Sequence, residues 1–251
     1  MSIILSIHSF RGGTGKSNTV ANLASLLAIE GKRVGVVDTD LQSPGIHILF
    51  GLVGEQITGA LNDYLWRKCD IAQTAHDVST KLGDSLPGKV YLIPSSIKPG
   101  EITRVLREGY DAQMLIQGFK RLIDDLQLDV LIIDTHPGLG EETLLSMVVS
   151  RTLVIVMRPD QQDYEGTGIT VQVARKLQVP KMAILVNKVP ASFNAAEVQD
   201  QVERTYHCPV VGVLPHSDEM MTLASGGIFS AIYPDHPVTA LYRQALRKIM
   251  A

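Results

Sequence analysis

Apolar and polar positions alternate along this chain in blocks whose lengths fit strands and helices. Seven blocks rich in Val, Ile and Leu have the length of strands, and they cover residues 2–10, 33–40, 89–96, 128–136, 152–160, 181–189 and 209–216. The other blocks have the apolar spacing of helices, and they cover residues 17–31, 56–66, 101–108, 112–126, 141–149, 165–177, 195–205, 217–225 and 237–249. Nearly continuous apolar strands that alternate with helices are typical of a parallel sheet covered on both faces. We therefore predict an α/β fold: a single domain over residues 1–251, with a doubly wound, mostly parallel sheet and helices on both faces.

The composition sets limits on the function. Of the 251 residues, 45% are apolar and 20% are charged, as in an ordinary folded globular protein. The formal net charge is −3, so nucleic-acid binding would require a local basic face. The two cysteines, Cys69 and Cys208, are far apart, and no apolar run reaches the 18 residues typical of a membrane span. We expect a cytoplasmic protein in a reducing compartment.

The first strand block leads directly into a glycine-rich loop with the sequence SFRGGTGKSN. Strand, glycine-rich turn and helix, in that order, form the context of a phosphate-binding loop. Gly12, Gly13 and Gly15 let backbone N–H groups face one anion, and the helix that follows adds its positive end. Lys16 can reach the β- and γ-phosphates, and the Ser17 hydroxyl can bind Mg²⁺. The pattern predicts a nucleoside triphosphate site.

Carboxylates follow two other strand blocks. In LDVLIIDTH, Asp134 stands where a Walker B carboxylate would lie beside the magnesium shell. In VVDTDLQSPG, Asp38 and Asp40 flank one residue at a strand end, so both can face a γ-phosphate or its metal. One would touch the Mg²⁺ shell while the other orients the attacking water. The alternative is that both are solvated carboxylates of a turn.

These motifs, together with VNKV and GVLPHSDEMMTLASGG further along, resemble those of the MinD/ParA group of deviant Walker A ATPases. The resemblance covers essentially the whole chain. It implies an Mg²⁺-dependent ATPase that forms a homodimer with ATP and is slow without a stimulating adaptor protein. In such a switch, phosphate and Mg²⁺ order two loops that hydrolysis releases.

The resemblance implies a role for each matching position. Asp40 positions the attacking water, with Asp38 close by. Lys16 and Arg11 act on the phosphates. The magnesium site comprises Ser17, Asp38 and Asp134. The phosphate cradle comprises Arg11, Gly12, Gly13, Thr14, Gly15, Lys16, Ser17 and Asn18, and the adenine pocket comprises Asn187, Pro215 and Asp218. An Asn amide offers a base edge both a donor and an acceptor, although a strand-end Asn is also a common cap.

The loop departs from the family pattern K-G-G-x-G-K-[ST] at its first residue. The family lysine reaches the ATP of the partner subunit, and here Arg11 stands in its place, after Phe10 at the end of the first strand. We expect Arg11 to act in trans, although arginine is not geometrically equivalent to lysine. Alternatively, Arg151 or Lys188 supplies that cation, or Arg11 is structural and hydrolysis is slow or altered. The McdA carboxysome-positioning group also departs from this lysine, and the chain resembles it in that respect.

The C-terminal half bears on the surface where such a switch would work. The last block, HPVTALYRQALRKIMA, has one apolar stripe, so we interpret it as the last packed helix of the domain and disfavour membrane docking. Non-specific DNA binding needs only scattered cations, and we favour DNA, with association with the nucleoid. The candidate basic residues are Arg175, Lys176, Lys181, Arg204, Arg243, Arg247 and Lys248.

The function predicted from these features is an ATP-dependent dimerising switch that positions or partitions an intracellular cargo: a plasmid, a chromosome or a large protein body. The alternatives are a MinD-like membrane-surface ATPase, an ATP-dependent ligase of the same fold, and a weakly hydrolysing nucleotide-binding scaffold. An iron-protein reductase would need cluster cysteines just after Asp134, where the chain has none. We interpret His136 as a loop residue near the metal shell, His47 as a partly buried helix residue and Cys208 as buried and inert.

Overall fold

The computed structural model describes residues 2–83 and 86–251 of the chain. Its strands are β1 (Ile3–His8), β2 (Arg33–Asp38), β3 (His76–Asp77), β4 (Lys89–Ile93), β5 (Val130–Asp134), β6 (Thr152–Met157), β7 (Lys181–Val189) and β8 (Val210–Pro215). They form one sheet in the order β3-β4-β2-β5-β1-β6-β7-β8. Neighbouring strands pair in parallel, except that β3 runs antiparallel to β4. The predicted mostly parallel sheet is confirmed.

Helices cross over between the strands. They are α1 (Lys16–Ile29), α2 (Ile46–Leu49), α3 (Leu61–Leu65), α4 (Pro99–Glu108), α5 (Ala112–Asp125), α6 (Glu141–Val149), α7 (Gln161–Lys176), α8 (Ala195–Tyr206), α9 (Asp218–Leu223), α10 (Phe229–Ile232) and α11 (Pro237–Met250). Short 3₁₀ turns lie at Gly54–Gln56, Ile71–Thr74 and Ser79–Leu82.

Helices cover both faces of the sheet, and the strand residues alternate between the two cores. In β6, Val154 and Val156 pack in the core that contains α1 and α11. Leu153, Ile155 and Met157 of the same strand pack in the core that contains α7 and α8. Side chains of a strand point to opposite faces in turn, so a strand buried on both faces is apolar throughout.

The strand order brings the polar motifs to one edge. β1 lies between β5 and β6, and Ile7 of β1 is level with Asp134 of β5. Asp38, the last residue of β2, is level with Asp134 on its other side. The loop after β1 and the ends of β2 and β5 therefore meet at the carboxyl edge of the sheet, which is where α/β sheets bind ligands.

Some elements differ from the prediction. The block at 56–66 is split into the 3₁₀ turn Gly54–Gln56 and α3, and β2 ends two residues earlier than predicted. The short elements α2, β3 and α10 were not predicted, because two to four residues cannot display a hydrophobic period.

Candidate nucleotide site

The glycine-rich loop has the geometry of an anion cradle. Gly13 and Gly15 adopt φ angles of 79° and 92°, in the left-handed region that side chains disfavour. A Cβ on Gly12 would meet nothing within 4 Å, so the space beside it is open. Helix α1 begins at Lys16 without a side-chain cap, which leaves the N–H groups of its first turn available to an anion. The adjoining cavity of about 280 Å³ is lined by loop residues 12–18 together with Ser9, Asp40, Pro137 and Lys188.

The end of β7 braces this loop from one side. Asn187 Nδ2 donates a hydrogen bond to the carbonyl of Thr14 at 2.8 Å, and Lys188 Nζ donates to that of Gly13 at 2.8 Å. A Cβ on Gly15 would clash with the Asn187 amide. This position therefore requires glycine both for its positive φ angle and for the close approach of Asn187. The amide predicted to read the base thus has a second task, since it holds the phosphate loop in place.

Buried charges lie on the other side of the loop. Lys16 Nζ donates to Asp134 Oδ1, and both side chains are almost fully buried. Asp38 Oδ1 accepts from the backbone N–H of Asp40 at 3.0 Å, whereas its buried Oδ2 has no hydrogen-bond partner among the described residues. Burial, and then the neighbouring Asp134, raise the pKa of Asp38 well above its ordinary value. On this side of the loop two buried carboxylates therefore share one lysine.

These carboxylates fit a magnesium ion that also binds phosphate oxygens. The orphaned Oδ2 of Asp38 is a buried acceptor with no donor, which is the environment that a cation would satisfy. Ser17 supplies a hydroxyl at the phosphate cavity. Among residues 2–83 and 86–251, no three His, Cys, Asp or Glu side chains form a self-sufficient metal cage. Mg²⁺ usually binds one or two carboxylates plus substrate phosphates and water, so the residues present suit that mode.

Asp40 is held in place by two donors to one of its oxygens. His136 Nδ1 lies 2.7 Å from Asp40 Oδ1, and the backbone N–H of Ser43 donates to the same oxygen at 2.9 Å. The interpretation of His136 as a loop residue near the metal shell missed this contact, which joins residues 96 positions apart. Sequence spacing carried no signal for it.

His8 lies at the end of β1, beneath the loop. Its side chain is fully buried, and Nδ1 lies 2.8 Å from the hydroxyl of Thr135. Burial, with a further contribution from the positive charge of Lys16, lowers the pKa of His8 to about 3. The imidazole is therefore neutral in the folded protein at ordinary pH.

A second cavity of about 280 Å³ continues from the loop along β7 and β8, and the two share Gly15, Asn18 and Lys188. The predicted base-pocket residues Asn187 and Pro215 line it. Its other lining residues are His216, Ser217, Met220, Met221, Ala224 and Ser225. Asp218, the third predicted base-pocket residue, does not line this cavity, and its side chain is 96% exposed in the first turn of α9, so its role stays a prediction. Successive residues of a helix face different directions, so Met221 reaches the cavity instead.

Arg11 is turned away from its own phosphate cavity. Its Nη1 lies 3.4 Å from Asp163 and 3.5 Å from Asp160, both at the beginning of α7. Asp163 is 2% exposed and is also bound by Arg158 through its backbone N–H and its guanidinium. The ring of Phe10 packs against Gly166 of the same helix, so closely that a Cβ on Gly166 would clash with it. The loop's first two residues thus anchor it to α7.

The other predicted cations lie in different places. Arg151 precedes β6, and its N–H donates to Ile4 near the beginning of β1, so it sits at the edge of the sheet opposite the loop. Arg175 donates to the carbonyls of Tyr206 and His207, where α8 ends. Lys181 donates to the carbonyls of Lys248 and Ile249, where α11 ends. Arg204 pairs with Asp200 one turn away on α8.

Helix α11 packs into the core, as the sequence indicates. Its apolar stripe includes Tyr242, Leu246 and Ile249, all at most 3% exposed. Within the part of the chain that the structure describes, no helix has the length and apolar character needed to cross a membrane. His47 in α2 is 5% exposed and Cys208 is 4% exposed, and burial raises the pKa of the Cys208 thiol to about 11.

The fold and this site define the chain as a P-loop nucleotide-binding protein. A model of the AAA domain family matches residues 2–186, and the chain belongs to that family. The predicted resemblance to MinD/ParA ATPases is confirmed at the level of the fold. The cell division ATPase MinD of Pyrococcus furiosus superimposes with a TM-score of 0.83 at 20% identity, over 100% of this chain and 99% of that one.

Two relatives extend over nearly the whole chain. An uncharacterised ATP-binding protein of Methanocaldococcus jannaschii is 30% identical, covering 100% of this chain and 87% of its own length. An iron-sulfur cluster carrier protein of Pseudomonas fragi is 27% identical, covering 96% of this chain and 83% of its own.

Proposed function

We propose that this chain, as a single ATPase domain over residues 1–251, is an Mg²⁺-dependent ATPase that switches between a nucleotide-free monomer and an ATP-bound homodimer. The observation that carries the proposal is one cavity lined by Lys16, the glycine-rich loop and Asp40. The strand-end carboxylates lie next to it, because Asp134 pairs with Lys16 and Asp38 is level with Asp134. That cavity continues into a second one of a size and lining suited to a base. An ATP-binding relative that matches the whole chain supports the same nucleotide.

In this proposal Lys16 leaves Asp134 for the β- and γ-phosphates when ATP binds. Ser17, Asp38 and Asp134 would hold Mg²⁺, which would neutralise charge on the phosphates and so lower the barrier to their transfer. Asp40, which lines the phosphate cavity, orients the water. The oxygen of the water bonds to the γ-phosphorus, the bond from that phosphorus to ADP breaks, and the protons of the water leave with the phosphate product.

Arg11 supplies the cation that crosses the dimer. To do so it leaves Asp160 and Asp163, with which it pairs in the single chain. Asp163 is not left uncompensated by this exchange, because Arg158 keeps three hydrogen bonds with it. Leaving a buried carboxylate without any partner would cost several kcal/mol. The contacts with Arg158 avoid that cost when Arg11 leaves.

We further propose that the dimer positions an intracellular cargo on non-specific DNA, with a stimulating adaptor protein. The last turns of α7, α8 and α11 lie at the amino edge of the sheet, opposite the nucleotide site, and they carry Lys176, Arg247 and Lys248. Contacts to the phosphate backbone need only such charges. Membrane docking has less support, because the apolar stripe of α11 is buried in the core.

Iron-sulfur carriage, the activity named for the Pseudomonas fragi relative, has little support from the cysteines. Cys69 follows α3 on the β4 side of the sheet, and Cys208 precedes β8 at the other end. A cluster needs thiolates close together, and Cys208 is buried with its pKa raised. If the protein does not hydrolyse ATP by itself, the alternatives are an ATP-dependent ligase of the same fold and a nucleotide-binding scaffold.

A mixing experiment tests the switch and its crossing cation. Asp40→Ala subunits lack the water-positioning carboxylate, and Arg11→Ala subunits lack the cation. Each variant alone should hydrolyse ATP far more slowly than wild type. Mixed in equal amounts, they should regain about one quarter of wild-type turnover, because half of the randomly formed dimers then contain one complete site. Mass measurement with ATP and Mg²⁺ follows dimer formation in parallel.

Arg121→Ala, on the exposed face of α5, is the control and should behave as wild type. A mixture no faster than the two variants separately would contradict action in trans. A wild-type protein that stays monomeric with ATP and Mg²⁺ would contradict the switch itself. For the platform, Lys176→Glu with Arg247→Glu should abolish retention on DNA in low salt, whereas the pair Lys120→Glu and Arg121→Glu on α5 should not.

A further inference from the structure

His136 makes a contact that the proposed roles leave unexplained. Its Nδ1 lies 2.7 Å from Asp40 Oδ1, and the ring is 25% exposed while the Asp40 side chain is 13% exposed. The two residues belong to different segments: Asp40 follows β2, and His136 follows β5. The contact therefore ties together the two loops that a γ-phosphate would order.

The chemistry of the pair fixes the direction of the hydrogen bond. A carboxylate only accepts, so Nδ1 carries the hydrogen and donates it to Asp40. The backbone N–H of Ser43 donates to the same oxygen at 2.9 Å. No donor among the described residues reaches the other oxygen, Oδ2. With Oδ1 held at two points, the rotation of the carboxylate is restricted, and Oδ2 is left available to a water in the phosphate cavity that Asp40 lines.

The backbone around His136 is itself anchored. Its carbonyl accepts from the Thr143 hydroxyl at 3.2 Å, and the N–H of Gly138 donates to the Ser9 carbonyl at 3.1 Å. Pro137 lies between them and lines the phosphate cavity. The imidazole is thus presented to Asp40 from a segment fixed to both α6 and the phosphate loop, so displacement of this segment moves the donor that holds Asp40.

We infer that His136 is a positioning residue: its Nδ1–H orients the Asp40 carboxylate toward the attacking water and couples the segment after β5 to that task. The inference rests on the proposed ATPase function. Side chains that hold a catalytic group within hydrogen-bond geometry affect the rate of the chemical step more than ground-state binding. His136 therefore acts on turnover and leaves ATP affinity nearly unchanged.

Three substitutions at this position separate hydrogen bonding from other roles of the ring. His136→Ala removes the donor. His136→Asn restores an N–H close to the position of Nδ1, and His136→Gln places one close to that of Nε2. Single-turnover hydrolysis should fall about tenfold or more in His136→Ala, recover to within a few-fold in His136→Asn and stay low in His136→Gln. The dissociation constant for ATP should stay within about twofold in all three.

His207→Asn is the matched control, because this exposed histidine lies at the end of α8, far from the cavity, in a left-handed conformation that Asn tolerates. Its turnover should equal that of wild type. Unchanged turnover in His136→Ala, or turnover in His136→Asn as low as in His136→Ala, would overturn the inference.

A spectroscopic measurement tests the contact independently of turnover. ¹⁵N spectra of the nucleotide-free protein should show His136 with its proton on Nδ1, and Asp40→Ala should abolish that preference. A proton on Nε2 in wild type overturns the inference whatever the hydrolysis rate. A wild-type protein that binds ATP, shows the Nδ1 proton and never hydrolyses would instead contradict the proposed function, together with any effect of His136 on turnover.

Discussion

The two sides of the phosphate loop are built from different chemistry. On the side of β2 and β5, the charged side chains are buried or nearly so. Lys16 pairs with Asp134, and Asp38 accepts from the backbone N–H of Asp40. On the side of β7 and β8, a neutral amide and a lysine brace the loop through backbone carbonyls, and methionines line the cavity beyond. Charge dominates one side, and shape and apolar surface dominate the other.

This contrast separates turnover from affinity. On the charged side the lysine contact replaces an internal one, because Lys16 must give up Asp134 before it can hold a phosphate. The net gain in binding free energy there is the small difference between the phosphate contact that forms and the internal ion pair that is lost. The β7 side loses no such internal contact, so it can contribute affinity directly. Three substitutions test this division, from the largest expected effect to the smallest.

Replacing Lys16 should have the largest effect. Lys16→Met keeps most of the volume but leaves Asp134 and Asp38 buried without their cation, so the free energy of unfolding should fall by about 3 kcal/mol in urea without nucleotide. ATP binding should be lost as well. Adding Asp134→Asn should restore most of the stability without restoring binding. Lys188→Met, which removes a partly exposed lysine bound to a carbonyl, should change stability by less than about 1 kcal/mol. Equal losses in the two lysine variants would contradict the proposed asymmetry.

Acid should weaken the charged side through His8. Because the pKa of His8 is about 3 in the folded protein and near 6.5 when unfolded, the folded state binds fewer protons between these values. The stability that His8 contributes is therefore complete above pH 6.5 and is lost as the pH falls toward 3. From pH 6.5 to pH 5 the loss should be about 2 kcal/mol. Denaturation curves of His8→Asn should lack this slope, and a parallel pH dependence in the variant and wild type would refute the assignment.

The smallest effect should come from the base cavity. Met221 lines it while remaining 57% exposed, so Met221→Ala should barely change stability. Loss of its apolar contact should weaken ATP binding by about fivefold, or about 1 kcal/mol, and leave turnover at saturating ATP unchanged. Leu106→Ala, at a residue 60% exposed on α4, is the control and should change neither. A drop in saturated turnover with Met221→Ala would show that affinity and chemistry are not divided as described.

Local chemistry made most of the architecture and the phosphate loop predictable. The strands β5 and β6 are buried at every position and apolar except for Asp134 and Thr152, because both of their faces are covered, and that pattern needs no tertiary information. The glycines at 13 and 15 signal positive φ angles, and the structure has them. β3 could not be predicted, because its two residues form a strand only by pairing with the edge of β4.

The contacts that decide the behaviour of the site are long-range, and the sequence alone does not contain them. His136 and Asp40 approach each other only because β2 and β5 are neighbours. Arg11 finds Asp163 because β1 and β6 are neighbours, with α7 following β6. In the same way, the motif that contains Asp218 does not show which of its residues lines the cavity, and the direction of α9 brings Met221 there.

The hydrogen-bond partners of the candidate DNA-contacting residues determine how strongly retention on DNA should depend on salt. Three of the seven candidate residues, Arg175, Lys181 and Arg204, are occupied by helix-end carbonyls or a carboxylate. Of the seven, Lys176, Arg243, Arg247 and Lys248 have no such partner among the described residues. Each phosphate that a protein cation neutralises releases condensed counterions. The slope of log affinity against log salt concentration then becomes more negative by about 0.9. If all four contact DNA phosphates, one chain would give a slope near −3.6 and two chains a slope near −7. The salt dependence of retention on DNA would thus count the subunits in the bound particle.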